Sequence, residues 1–81
     1  MPHYFFHLID GTDVVLDPDG VEMAAEAVVD AALFQARDCM AADVKEGRLD
    51  LHYRIDVHDD AGKLVHSLTF EDALEIVSPP R

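Results

Sequence analysis

The chain has 81 residues, 49% of them hydrophobic, which is enough apolar material for one small domain with a packed core. Six lysine and arginine residues face seventeen aspartate and glutamate residues, which gives a formal net charge of −11. This charge disfavours nucleic acid and anionic membrane surfaces as partners, because both are bound through lysine and arginine. It leaves a basic protein or a cation as the electrostatic complement.

The compartment is predicted from the N-terminal segment and the cysteine content. The segment MPHYFFHLIDG lacks a basic n-region and reaches an aspartate too early for a signal peptide. No apolar run approaches the length of about 18 residues that a membrane span needs. The single cysteine, Cys39, allows no intrachain disulfide and falls in a helical run, where we expect it in or near the core. We therefore expect a cytoplasmic protein.

The first predicted element is a β-hairpin. Residues 3–9, HYFFHLI, are aromatic and branched, and Asp10-Gly11 follows them as a turn into a short strand around Val14 to Leu16. Side chains alternate along a strand and so form two faces, Tyr4, Phe6 and Leu8 on one and Phe5, His7 and Ile9 on the other. Both faces are largely apolar, which predicts a strand covered on both sides or an interface on one of them.

A turn at residues 17–20, DPDG, leads into a long alanine-rich helix predicted from about Glu22 to Lys45, with Asp19 as its cap. Gly47 is expected just beyond its C-terminal end. Spacings near three and four define one apolar stripe of Ala25, Val29, Ala32, Leu33, Ala36, Met40 and Val44. Val28 and Phe34 fall off that stripe, and an exposed Phe34 would be a candidate dimer contact.

The second hairpin has the clearest period-two alternation in the chain. Tyr53, Ile55 and Val57 are predicted to face the helix, which leaves the polar set of His52, Arg54, Asp56 and His58 to solvent. The DDAG turn places Gly62 in a left-handed conformation and predicts a bulge. The return strand is expected to add Leu64, Leu68 and Phe70 to the core.

A short closing helix is predicted over FEDALEIV, with Thr69 as its N-cap and Asp72 as the capping-box acid. Ser78 and the two prolines after it would end this helix. The chain is therefore predicted to be one α+β domain over residues 1–81. Its predicted order is ββαββα, with two hairpins in a mostly antiparallel four-stranded sheet and the long helix on one face.

Three stretches together resemble a family of short bacterial proteins known only as a domain of unknown function. They are PHYFFHLIDG at the start, DPDGVEM before the long helix, and IDVHDDAGKLV with LTFEDAL near the end. The resemblance covers nearly the whole chain. Its motifs are turns and core positions, so it implies a fold and no activity, cofactor or catalytic residue.

The five histidines, His3, His7, His52, His58 and His66, are the candidate metal ligands. His3 and His7 share a side of one strand but stand roughly 13 Å apart along it, too far to hold one ion together. A shared site would need one histidine from each hairpin, for example His7 with His58, and Asp56 to complete a zinc or copper site. His66 falls in an apolar set and is expected as a hydrogen-bonded histidine at the core margin. No metal or cofactor is assigned from this pattern.

Catalytic and calcium motifs are weak. Ser67 and Ser78 lack a nucleophile-elbow motif, and no glycine-rich loop with a lysine precedes a helix, so no enzyme activity is expected. The acidic turn at 17–20 only partly matches a calcium loop, since Val15 stands where the first carboxylate belongs.

The function that the sequence favours is a non-catalytic protein-interaction module that self-associates as a homodimer, through Phe5, Ile9 and Phe34. Two alternatives remain open: a histidine-dependent transition-metal binder, and an acidic regulator of a basic partner protein.

Overall fold

A computed structural model describes residues 1–80 of the chain. In chain order the elements are β1 (His3–Asp10), β2 (Asp13–Val15), β3 (Val21–Glu22), α1 (Val28–Lys45), β4 (Tyr53–His58) and β5 (Leu64–Thr69). Single 3₁₀ turns precede the helix at Ala25–Ala27 and follow β5 at Glu71–Ala73. The protein is therefore α+β, with one long helix and an antiparallel sheet, as predicted.

The sheet has the main strand order β2-β1-β4-β5. β1 and β4 are its central strands, with Phe6 opposite Val57 and Leu8 opposite Ile55. The additional strand β3 was not predicted, and it pairs with β1 at its beginning, where Tyr4 faces Val21. Residues 13–22 thus follow one edge of β1 as two short strands separated by a loop.

The helix packs on one face of the sheet, and the predicted register of β4 is confirmed. Ile55 and Val57 are fully buried, and Tyr53 packs against the core beside Phe70, with 5.4 Å between their ring centroids. The buried cluster joins these strands to one side of the helix and comprises Tyr4, Phe6, Val28, Ala32, Ala36, Met40, Ile55, Val57, Phe70 and Ala73.

The predicted start of the helix is wrong by about two turns. Glu22 belongs to β3 and lies opposite His3 in the strand register, so this part of the chain is extended and Asp19 caps no helix. The apolar stripe is also corrected at both ends. Val28 is buried, whereas Val29 and Val44 are 55% and 56% exposed. The predicted C-terminal end is confirmed: the amide of Gly47 donates to the Val44 carbonyl, and that of Arg48 to the Asp43 carbonyl.

The β4–β5 turn has the predicted form. The Gly62 amide donates to the Asp59 carbonyl, the Asp59 amide donates to the Lys63 carbonyl, and Gly62 has a φ of 79°. A further irregularity shifts the register between Val57, which pairs with His66, and His58, which pairs with Leu64. Leu64 is 51% exposed, so its predicted place in the core is wrong.

The predicted closing helix is reduced to the 3₁₀ turn at Glu71–Ala73. Thr69 does accept the predicted hydrogen bond from the Asp72 amide, at 3.2 Å. The chain then becomes extended at Leu74, and the Arg37 guanidinium of α1 donates to the Ala73 carbonyl at 2.8 Å. Ile76 and Val77 remain exposed. Within residues 1–80, α1 and the short turns all fall short of the length and apolarity that crossing a bilayer requires.

Candidate functional site

The sheet face that the helix leaves uncovered holds a concavity of about 680 Å³. We call this surface the open face. Its apolar half consists of Phe5, Ile9, Val14 and Leu16. Its polar half consists of His7, Arg54, Asp56 and His58. Those on β1 and β4 occupy the alternate positions opposite to the core-facing ones, and Val14 and Leu16 come from β2 and the loop after it.

The apolar half of the open face is only partly covered. Ile9 is already buried, with 7% of its surface exposed, and Phe5 is half-buried. Val14 and Leu16 are 52% and 67% exposed, although they lie beside these two residues. Phe34 is 71% exposed but belongs to the helix on the other side of the sheet, so the predicted contact of Phe5, Ile9 and Phe34 is not one surface.

The charges of the polar half are already paired. The Asp56 carboxylate accepts a hydrogen bond from the Ser67 hydroxyl at 2.6 Å and one from the Arg54 guanidinium at 3.1 Å. Desolvation by burial raises the pKa of Asp56, but these hydrogen bonds outweigh it, and the net pKa lies below the ordinary value. Asp56 is therefore an ionised group in a closed local network.

The structure brings together the two histidines that the sequence suggested as a pair. The ring centroids of His7 and His58 are 5.1 Å apart. The Nδ1 atom of His7 accepts a hydrogen bond from the Asp17 amide at 3.0 Å, which leaves the proton of a neutral ring on Nε2. A metal ion needs a free imidazole lone pair, and this tautomer offers none. His58 has a buried Nδ1 without a hydrogen-bond partner.

A complete metal site is not present among residues 1–80, since nowhere in that range do three or more histidine, cysteine or acidic side chains converge to hold an ion. His52 has a side chain that is 89% exposed and contacts Asp50 at 3.0 Å. His66 lies on the helix side, in a cavity of about 270 Å³ beside Tyr4 and Val28. It is at the core margin, as predicted, but its buried Nε2 lacks the expected hydrogen bond.

Asp17 joins the open face to the edge of the sheet. Its carboxylate accepts hydrogen bonds from the amides of Phe6, at 3.2 Å, and Gly20, at 3.1 Å. Burial raises the pKa of Asp17, but the hydrogen bonds from backbone amides lower it by more, so the net pKa is below its usual value. This carboxylate therefore serves the protein's own backbone and is not the calcium ligand that its acidic turn imitates.

Cys39 lies half-buried at the helix–sheet boundary, as predicted. Desolvation, followed by the nearby charges of Asp43 and Asp38, raises the pKa of its thiol. The thiol is therefore protonated at neutral pH and is a poor nucleophile.

Sequence reasoning missed the roles of Val14, Leu16 and Asp17. Asp17 reads locally as the first residue of a turn, but its carboxylate accepts from the Phe6 amide eleven positions away and its amide donates to His7 ten positions away. The DPDG pattern predicts the turn and nothing of these longer contacts. An available signal was the exposed run of Val14, Val15 and Leu16 in an otherwise acidic segment.

Comparison with known proteins identifies a family and no function. Neither a curated protein nor a solved structure matches the chain. The family model for the domain of unknown function DUF6894 matches residues 3–71, which include every strand and the long helix. The chain therefore belongs to the DUF6894 family.

Proposed function

We propose that this protein is a non-catalytic protein-interaction module that self-associates, with two copies stacked through their open faces. The observation that supports this most directly is the contrast between the two sides of the sheet. One side is covered by α1 and holds the core, whereas Val14 and Leu16 on the other side remain more than half exposed. An uncovered apolar sheet face is the kind of surface that soluble proteins bury against a partner.

The distribution of charge supports a second copy as that partner. Each chain has a net charge of −11, which opposes association. Within the open face, however, the Asp56 carboxylate is balanced by Arg54 and the apolar half carries no charge, while Asp59 and Asp60 add negative charge at its border. Exposed acids such as Glu26, Asp30 and Asp38 lie on the helix side of the molecule. Stacking the open faces would therefore keep much of the negative charge apart.

The size of the surface is also compatible with a dimer. A standard interface buries about 800 Å² on each partner, which is about one seventh of the 5838 Å² accessible surface of this protein. The open face extends over β1 and β4 and includes one flank in β2 and the loop after it. Two-fold stacking places the same patch on both chains, as symmetric dimers do.

The non-catalytic part of the proposal is supported by the state of the nucleophiles. The Ser67 hydroxyl is donated to Asp56 and not to an imidazole, and the Cys39 thiol has a raised pKa. We also propose a cytoplasmic location. The free Cys39 is compatible with the reducing conditions of that compartment. The metal-binding alternative loses support because the lone pair of His7 Nδ1 is already used.

The test is sedimentation velocity of the wild type and two charge-matched variants at high micromolar concentration. Leu16→Asp places a carboxylate in the open face of each copy. We expect it to weaken self-association about 100-fold, because bringing like charges together in an interface costs several kcal/mol. Phe34→Asp adds the same charge on the helix side and serves as the control, with association unchanged. Leu16 and Phe34 are both exposed, so neither change empties the core.

A monomeric wild type at this concentration would contradict the proposal. Equal weakening by both variants would show that total charge, and not the open face, governs association. Thermal melting of each variant accompanies sedimentation and identifies any loss of folding.

A further inference from the structure

Two histidines of β1 contact residues 16–20, which we call the edge loop. One histidine donates a hydrogen bond to this loop and the other accepts one from it. The Nε2 atom of His3 lies 2.6 Å from the carbonyl oxygen of Asp19, and a carbonyl can only accept, so this nitrogen carries a proton. The Nδ1 atom of His7 lies 3.0 Å from the amide nitrogen of Asp17, and an amide can only donate, so this nitrogen carries a lone pair. One contact needs a donor histidine and the other needs an acceptor histidine.

The loop depends on these side-chain contacts because it interrupts the edge ladder. β1 pairs with β2 from Leu8 onward and with β3 at His3 and Tyr4, which leaves the backbone between these pairings without strand partners on that edge. The Asp17 carboxylate fills part of the gap by accepting from the Phe6 amide. The loop is therefore attached to β1 through Asp17 and the two histidines.

We infer that His7 forms an acid-sensitive contact: protonation of its Nδ1 breaks the hydrogen bond with the Asp17 amide and loosens the attachment of residues 16–20 to β1. A protonated Nδ1 is a donor that faces another donor, and two donors do not hold a 3.0 Å contact. The His3 contact survives the same change, because both neutral and charged imidazole donate from Nε2. Acid therefore removes one attachment and spares the other.

Charged groups face His7 from two neighbouring elements. From β4, Asp56 stands opposite His7 in register, and the His58 ring lies 5.1 Å away. Arg54 flanks Asp56 on the same face, and Asp59 and Asp60 of the following turn border the concavity. The edge loop contributes Asp17.

These groups place charges of both signs around His7. Asp56 and Asp17 contribute carboxylates, and Arg54 contributes a guanidinium. On β1 itself the neighbour of His7 is the apolar Phe5 ring, with 6.3 Å between centroids. The pKa of Asp17 lies below its usual value, so its carboxylate stays ionised over the range of about pH 5 to 8 in which imidazoles titrate. Loss of the contact in that range is therefore assigned to His7.

Loss of this contact would change the open face, since Leu16 precedes Asp17 and lines the concavity. That consequence for partners rests on the proposed function, but the contact itself is a property of the single chain. Its test therefore follows the Asp17 amide and not the association state.

The experiment is amide hydrogen exchange by ¹⁵N NMR between about pH 7.5 and pH 5, with a long-range ¹⁵N spectrum to read the tautomer of His7. For the wild type we expect an unprotonated Nδ1 on His7 at the upper pH. We also expect the protection factor of the Asp17 amide to fall about tenfold in acid, as for a lost hydrogen bond.

Two variants separate the histidines. His7→Asn places a carbonyl oxygen near the position of Nδ1 and keeps an acceptor at every pH, so we expect Asp17 to stay protected in acid. His3→Gln keeps a donor near the position of Nε2, and we expect the wild-type pH response. A His7 ring protonated on Nδ1 at pH 7.5, or an Asp17 amide equally protected at both pH values in the wild type, would overturn the inference without either variant. Acid loss of protection in His7→Asn would also overturn it.

Discussion

At the scale of single residues, Gly20 is the most constrained glycine of the chain. It has a φ of 67°, which side-chain-bearing residues rarely adopt. A Cβ atom at this position would lie 2.6 Å from the His3 ring and 2.7 Å from the Tyr4 carbonyl oxygen. The edge loop therefore approaches β1 so closely at Gly20 that only hydrogen fits.

Gly20→Ala is expected to lower the free energy of unfolding by about 2 kcal/mol or more, because the cost of a left-handed alanine adds to the clash with backbone. Gly11→Ala is the matched control. Gly11 has a similar φ of 59°, but its Cβ would meet nothing within 4 Å, so about 1 kcal/mol is expected. Urea denaturation measures both values. Equal losses of unfolding free energy in the two variants would show that the close approach of His3 and Tyr4 does not restrict the residue at position 20.

Residue-scale prediction from sequence succeeded where alternation decides the outcome. Ile55 and Val57 are buried, as the alternation of β4 predicts. The proximity of His7 and His58 was one example among pairings that the sequence left open. The attachment of Asp17 to β1 was not predictable in the same way, because a turn residue gives no sign of which distant amide its carboxylate will accept. The tautomer of His7 depends on that contact, so the sequence alone does not show that its Nδ1 lone pair is unavailable to a metal ion.

At the scale of elements, the helix shows how the first position of an apolar stripe can be misassigned by one residue. Val28, Ala32, Ala36 and Met40 follow one row of four-residue spacing, and all four are buried. The predicted stripe instead took Val29, the neighbouring valine, because spacings of three and four are equally admissible on a helix. Nothing local distinguishes two adjacent valines, and the sheet decides between them.

This pair supplies a controlled test of the helix packing. Val28→Ala removes two buried methyl groups, and we expect the free energy of unfolding to fall by about 2 kcal/mol. Val29→Ala is expected to remain within about 0.5 kcal/mol of the wild type, since that side chain is 55% exposed. Alanine's higher helix propensity acts equally on both variants. Chemical denaturation measures the free energy of unfolding of both variants. A larger loss for Val29→Ala than for Val28→Ala would contradict the packing of Val28 against the sheet.

The elements that sequence prediction misplaced are those decided by distant hydrogen bonds. β3 has only two residues, and its partner is the start of β1, so no local alternation marks it. The closing helix has acceptable local propensity and the predicted Thr69 contact. The chain nevertheless becomes extended at Leu74, next to the Ala73 carbonyl to which Arg37 of α1 donates. The two hairpins and the long helix were predictable because their signals are repeated over many residues.

At the scale of the whole molecule, a net charge of −11 coexists with an open face in which Asp56 is paired with Arg54 and the apolar half carries no charge. Two mechanisms of association therefore predict opposite effects of salt. Two copies together carry −22, twice the charge of one chain, so their repulsion resists stacking and salt relieves it. A basic partner would instead be held by attraction between opposite charges, which salt weakens.

We expect self-association to tighten severalfold when sodium chloride is raised from about 0.1 M to about 1 M, because the Debye length falls from about 10 Å to about 3 Å. Salt also strengthens apolar burial to a degree that depends on the ion, so sodium chloride, a weak salting-out agent, is preferred to sulfate. Sedimentation equilibrium of the wild type and Phe34→Asp measures the effect. The variant carries one more negative charge per chain and should show a slightly steeper response. Association that weakens with salt would mean that ion pairs between the copies, and not the apolar half of the open face, hold the chains together.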